Sequence, residues 1–293
     1  MIIARLIADE ARLSAGLDAA LAALDAAGMP AASAALLENG GEVLQISLAG
    51  GDPARVRAIV DAHFAPSDCL IADHEPQVPH VFVSDMDSTM IAAECIDELA
   101  DFVGLKAEVA AITERAMQGE LDFAGALTER VGLLSGLGED AIAQCLAERV
   151  PLMPGARTLV QTLKARGCRT VLVTGGFHQF ADPVAEMLGF ERVVANRLAT
   201  GAGALTGGLA GPIADAATKQ RVLLEEAERI GEDAVSLATG DGANDVPMLQ
   251  GATYGLAYRA KPKARAAADG WLDRGDLTAV LELLGIPRTD WVY

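Results

Sequence analysis

The chain has 293 residues, 51% of them apolar but only 4% aromatic, and a formal net charge of −18. That length suggests two domains, with Ala and Leu filling much of the core. The charge argues against a nucleic-acid or anionic-membrane surface, since both need clustered Lys and Arg. A small anionic ligand remains compatible, because a few local cations or a metal can reverse the field in one pocket.

The four cysteines, Cys69, Cys95, Cys145 and Cys168, are far apart and form no CxxC pair, as expected of reduced thiols. The start, "MIIARLIADEAR", carries Arg5, Asp9 and Glu10, so it lacks the apolar stretch of a signal peptide. No uncharged apolar run is long enough to span a bilayer. The expectation is a soluble cytoplasmic protein.

Residues 1–75 read as strand, helix, strand, strand, helix, strand. "ARLSAGLDAALAALDAAG" has helical spacing and ends at Gly28. "ASAALLE" and "EVLQISLA" flank "NGG" (Asn39, Gly40, Gly41), a strong hairpin signal. Asp52 and Pro53 are the N-cap and first residue expected of the next helix. This βαββαβ order resembles small ferredoxin-like modules of the ACT type. It leads us to expect a regulatory or dimerisation module, with room for a homodimer. "HEPQVPH" reads as a linker, with residues 76–80 separating the module from a domain over 81–293.

From residue 81 the pattern changes. Short apolar, mostly β-branched runs at 81–84, 169–173, 192–195, 234–238 and 253–257 alternate with helices, which predicts a doubly wound, Rossmann-like parallel sheet covered on both faces. Helical spacing over 92–103, 106–118, 122–134, 138–148 and 155–166 far exceeds what one crossover needs. The excess is expected to be an inserted helical cap, about residues 94–150. Gly-rich 196–211 predicts a β-hairpin.

In open parallel sheets, ligands bind at the carboxyl ends of the strands. The first ends in Asp85-Met86-Asp87-Ser88-Thr89. Carboxylates at i and i+2 point to one side and repel unless a cation or proton lies between them. Mg²⁺, a hard cation, suits them. The second ends in Thr174-Gly175-Gly176 before a predicted helix, where backbone N–H groups can bind an anion. The fourth ends in "TGDGANDVPM", where Asp241, Asn244 and Asp245 crowd one loop. Lys219 opens a later helix. Each alone is commonplace. Together, at the ends of one sheet, they form a phosphoryl-transfer constellation.

The order DxDST, TGG, Lys, GDGxND resembles the haloacid dehalogenase superfamily. "DMDSTMIAAECIDELA", "ITERAMQGELDFAGALTERV", "GGFHQFA" and "GDGANDVPML…YRAKP" are similar to its phosphoserine phosphatases over roughly residues 80–285. That resemblance implies hydrolysis of O-phosphoserine to L-serine and phosphate, the last step of serine biosynthesis. It makes Asp85 the nucleophile and Asp87 the acid, then the base. It puts Mg²⁺ on Asp85, the Asp87 carbonyl and Asp241, with Asp245 supporting from behind. Thr174, Gly175 and Lys219 would hold the phosphoryl oxygens, and Asn244 would orient them. Glu94 would meet the substrate ammonium and Arg130 its carboxylate, while Met117 and Phe123 help close the pocket. Phosphoserine phosphatases usually carry Ser at the position of Thr174, so an added methyl is expected to crowd the site slightly. The alternatives are action on another small phosphoamino acid, such as phosphothreonine or phosphohomoserine, and a non-catalytic amino-acid sensor. The sensor would not need Asp85, Asp87, Lys219 and Asp241 all intact.

Overall fold

The computed structural model describes residues 1–37, 43–117 and 120–293. The NGG turn lies outside them. The N-terminal unit contains β1 (Ile2–Ile7), α1 (Glu10–Ala26), β2 (Ala31–Leu36), β3 (Leu44–Leu48), α2 (Pro53–Phe64) and β4 (Asp68–Ala72). Its strands lie in the order β2-β3-β1-β4, all antiparallel, which is the ferredoxin-like arrangement. Asp52 caps α2 by accepting from the Ala54 N–H at 3.0 Å.

Next come β5 (Val81–Ser84) and four cap helices: α3 (Cys95–Phe102), α4 (Lys106–Met117), α5 (Phe123–Leu133) and α6 (Glu139–Arg149). The main sheet resumes with α7 (Ala156–Ala165), β6 (Arg169–Phe177), α8 (His178–Leu188) and β7 (Arg192–Asn196). A hairpin, β8 (Leu198–Gly201) and β9 (Ala204–Leu209), bonds to the cap through Leu205 and Leu137. Then follow α9 (Ala216–Ile230), β10 (Ser236–Gly240), α10 (Val246–Gly251) and β11 (Tyr254–Tyr258). The chain closes with α11 (Pro262–Ala267), β12 (Gly270–Leu272) and α12 (Ala279–Leu283).

The β5, β6, β7, β10, β11 and β12 strands form a parallel sheet, in the order β12-β11-β10-β5-β6-β7. Buried Val81, Val83, Val171 and Val173 pack on one face, and Phe82 and Leu172 on the other, as a doubly wound sheet requires. The chain leaves β5 to one side for β6 and later returns on its other side as β10. That reversal opens a crevice at the β5 end.

Three features differ from the sequence reading. β12 pairs antiparallel with β4, so both units share one ten-stranded sheet. The segment read as a linker is bound to the core: the Gln77 N–H donates to the Tyr254 hydroxyl at 3.2 Å, and the His80 N–H to the Val235 carbonyl at 2.8 Å. β6 runs on through Thr174, Gly175 and Gly176 to Phe177, past the strand end expected at residue 173, and the expected helix follows as α8 from His178. The Asn196 amide holds the strand extended there by donating to the Gly175 carbonyl at 2.8 Å.

The first cap helix also starts later than its spacing suggested. Ile91 forms an antiparallel bridge with Leu152, and the Ala92 N–H donates to the Pro151 carbonyl at 2.9 Å. These bonds keep residues 91–93 out of the helix, so Glu94 precedes α3 as its N-cap.

Candidate active site

The crevice holds a small cavity of about 130 Å³. Asp85, Asp87, Thr174, Gly175, Asp241 and Asn244 line it from the sheet, and Glu94, Phe123 and Arg130 from the cap. Lys219 lies beneath, fully buried. Met117 ends α4, and its side chain lies outside the described structure.

Asp85 follows the last paired residue of β5. Its N–H donates to the Thr239 carbonyl at 2.9 Å. Its own carbonyl accepts from Ser84 Oγ, which accepts in turn from Thr239 Oγ1, both at 2.7 Å. Met86 turns into the core, so the strand alternation persists and both aspartates line the crevice.

Asp215 caps α9 by accepting from the Thr218 N–H at 2.9 Å, which places Lys219 in the first turn. Lys219 Nζ lies 2.6 Å from Asp85 Oδ1 and 2.7 Å from Asp245 Oδ1. Asp245 Oδ2 also accepts from the N–H groups of Asp241 and Gly242, at 3.2 and 2.9 Å. Asp245 thus organises the loop after β10. Gly240 is required beside it, because a Cβ there would fall 2.4 Å from Asp245 Cγ.

The electrostatics of this cluster are unbalanced. One carboxylate oxygen from each of Asp85, Asp241 and Asp245 lies within 4.8 Å of the others, and all three residues are buried. Lys219 sits among them, and Lys261 reaches Asp241 from the rim at 3.5 Å with its side chain 70% exposed. Burial and then the Asp245 charge push Asp85 well above the usual carboxylate range, against the pull of Lys219. Burial raises Asp241 as well, with Lys261 opposing. Burial opposes the Lys219 charge too, but Asp85 and Asp245 more than restore it. Excess negative charge on hard oxygen donors fits a divalent cation.

Asp87 is pushed up to about 7, first by burial and then by the Glu94 charge. One of its oxygens accepts from the Cys95 N–H at 3.4 Å, at the start of α3. A carboxyl poised near neutrality can give and take a proton.

Across the crevice, Glu94 and Arg130 present opposite charges from the cap. Burial lowers the Arg130 pKa, and Asp97 and Glu94 oppose that shift. The Phe123 ring, 42% exposed, leans over the sheet, and a Cβ at Gly175 would lie 3.2 Å from its Cζ. Gly175→Ala is therefore expected to raise KM several-fold by pushing the cap ring away. Adding Phe123→Leu should restore part of the loss in steady-state kinetics.

Three further residues shape the site in ways the motifs containing them did not specify. Ser88 Oγ donates to Glu94 Oε1 at 2.8 Å. Gly176 leaves room for Asp87, since a Cβ would sit 3.0 Å from its Oδ2. Lys261 lines the mouth. The hydroxyl after DxD, the second glycine and the Lys before Pro262 were the available signals.

Phosphate-ester chemistry on an aspartate is what such a site can perform. The family model of the haloacid dehalogenase-like hydrolases matches residues 82–250, and the chain belongs to that family. Within it, the chain is 45% identical over 207 residues to a phosphoserine phosphatase of Idiomarina loihiensis, covering 70% of this chain and 92% of that one. A phosphoserine phosphatase of Mycobacterium tuberculosis is 44% identical over 209 residues, 71% of this chain but 51% of the relative, so the match spans about half that protein's length. A crystal structure of a probable phosphoserine phosphatase from Vibrio cholerae superposes with a TM-score of 0.75 at 32% identity, over 99% of this chain and 88% of that one.

Proposed function

We propose that the protein is a Mg²⁺-dependent phosphoserine phosphatase that hydrolyses O-phospho-L-serine to L-serine and phosphate. The observation that carries this reading is Glu94 and Arg130 facing Asp85 and Asp87 across one crevice. Phosphoserine is a zwitterion with a phosphate attached. Glu94 complements its ammonium, and the planar fork of Arg130 complements its carboxylate.

Asp85 attacks phosphorus, forming a P–O bond as the bond to the serine oxygen breaks. Asp87 supplies the proton that this oxygen takes up. In the second half, Asp87 takes a proton from water as the water oxygen attacks the aspartyl-phosphate. That releases phosphate and regenerates the Asp85 carboxylate. Lys219, Thr174 and the Gly175 N–H hold the phosphoryl oxygens, and Asn244 orients the group. Asp85, the Asp87 carbonyl and Asp241 would hold Mg²⁺, with Asp245 fixing the loop behind them. When bound, the ion supplies positive charge that favours an ionised Asp85 and a transferring phosphoryl group. Buried, unpaired Cys69, Cys95, Cys145 and Cys168 support a cytoplasmic setting.

A substrate panel tests the reading. With Mg²⁺, kcat/KM for phosphoserine is expected to exceed that for phosphothreonine and for an aryl phosphate by at least tenfold, and chelation should abolish all three. Equal values across the panel would sink the claim to phosphoserine.

A further inference from the structure

Glu94 occupies the N-cap position of α3, yet its carboxylate makes no capping bond to that helix. It turns back to accept from Ser88 Oγ at 2.8 Å. Ser88 is one of three non-glycine residues with positive φ, at +55°, among the described residues. Ser seldom adopts that conformation, and such strain concentrates where function needs it. The left-handed residue reverses the chain just after Asp87, and the Ser88 N–H then donates to the Ala93 carbonyl at 3.2 Å. The reversal brings a hydroxyl on the sheet side of the cap entry to a carboxylate on its cap side.

We propose that Ser88 is a positioning residue, fixing the Glu94 carboxylate relative to Asp85 so that one end of the substrate is measured from the reacting end. The proposal rests on the reading of Glu94 as the partner of the substrate ammonium. Unanchored, Glu94 is an exposed side chain with several rotamers, and binding would have to order it. With the hydroxyl on Oε1, one carboxylate oxygen is spoken for and the other remains for an ammonium. Because Ser88 touches neither phosphorus nor metal in this scheme, its contribution belongs to recognition of the ammonium.

The test compares phosphoserine with 3-phosphooxypropanoate, the same molecule without its ammonium. The readout is the ratio of the two kcat/KM values in the wild type, Ser88→Ala and Ser88→Gly. Alanine keeps the strain and glycine relieves it, while both remove the hydroxyl, so a change shared by the two is not one of folding. Loss of a hydrogen bond to a charged group should lower the ratio about tenfold in both variants, chiefly through KM for phosphoserine. An unchanged ratio, whether or not both rates fall together, would overturn the role of Ser88 while leaving Glu94 its own. A wild type that does not distinguish the two substrates would remove the reading of Glu94, and the role of Ser88 with it.

Discussion

Asp85→Asn is expected to abolish turnover while the protein stays folded and becomes no less stable. An amide cannot attack phosphorus, and loss of a covalent nucleophile typically lowers kcat by roughly five to six orders of magnitude. Stability should not follow activity downward. Burial and the neighbouring Asp245 charge raise the Asp85 pKa in the fold, so ionising this carboxyl costs more in the native state than in the unfolded chain. A raised carboxyl pKa means that stability is lost as pH climbs through the titration, and a neutral isostere escapes that loss. The melting temperature of the metal-free variant at pH 8 should therefore equal or exceed that of the wild type. Intact-mass measurement after mixing with substrate should show no phosphorylated chain. Asp87→Asn divides the cycle instead. With p-nitrophenyl phosphate, whose leaving group needs no proton, the phosphorylated chain should form and persist because nothing activates water. Wild-type turnover in the Asp85 variant would dismiss the mechanism.

Deleting residues 1–75 is expected to yield an aggregated product rather than a free catalytic domain. β4 covers the outer edge of β12, and its removal exposes an unpaired strand edge. Trp271, on β12, is fully buried and belongs to the apolar core of the N-terminal unit, among Val56, Val60 and Phe64. The Arg57 and Arg265 guanidinium groups lie 4.6 and 4.7 Å from its ring centroid. Arg265 also grips Asp61 of α2 through two bonds of 3.0 and 2.8 Å. Truncation would strip this apolar core and Arg57 from the tryptophan and leave Arg265 without Asp61. Gel filtration of residues 76–293 should show aggregates, and a monodisperse, active fragment would refute the expectation. Trp271→Ala in the full chain makes the same point, with an expected loss of about 3–5 kcal/mol by denaturant titration.

The parts of the site that were legible in the sequence share a cause. Asp85, Thr174 and Asp241 follow apolar runs of four or five residues, and burial on both faces makes such runs continuous and easy to see. The cap was legible because four amphipathic helices repeat their pattern over many turns. β12 was not, since three residues, Gly270–Leu272, carry no measurable periodicity. Its existence depends on β11 and β4, distant in sequence. The end of β6 was misread because a Gly-Gly pair usually marks a turn. Here Asn196, outside that window, supplies the bond that keeps it straight. Lys219 shows the reverse limit. Its place in the motif order was visible, but nothing local distinguishes a lysine fully enclosed between two carboxylates from one in water.

The cap leaves and rejoins the main chain at a single point. Ile91 and Leu152 face each other in a single antiparallel bridge, and the Met153 N–H donates to the Met90 carbonyl at 2.9 Å beside them. Everything between these residues is, to the sheet, one long loop with its ends already joined. Closing such a loop depends only weakly on its length, since doubling it costs about 0.6 kcal/mol. Evolution could therefore lengthen, shorten or replace the insert with little penalty to the scaffold. Glu94, Phe123 and Arg130 travel with the insert, whereas Asp85, Lys219 and Asp241 stay behind. Under the proposed function, substrate choice and bond-breaking would then be inherited separately, and new specificities would arise by exchanging a cassette whose splice points lie side by side.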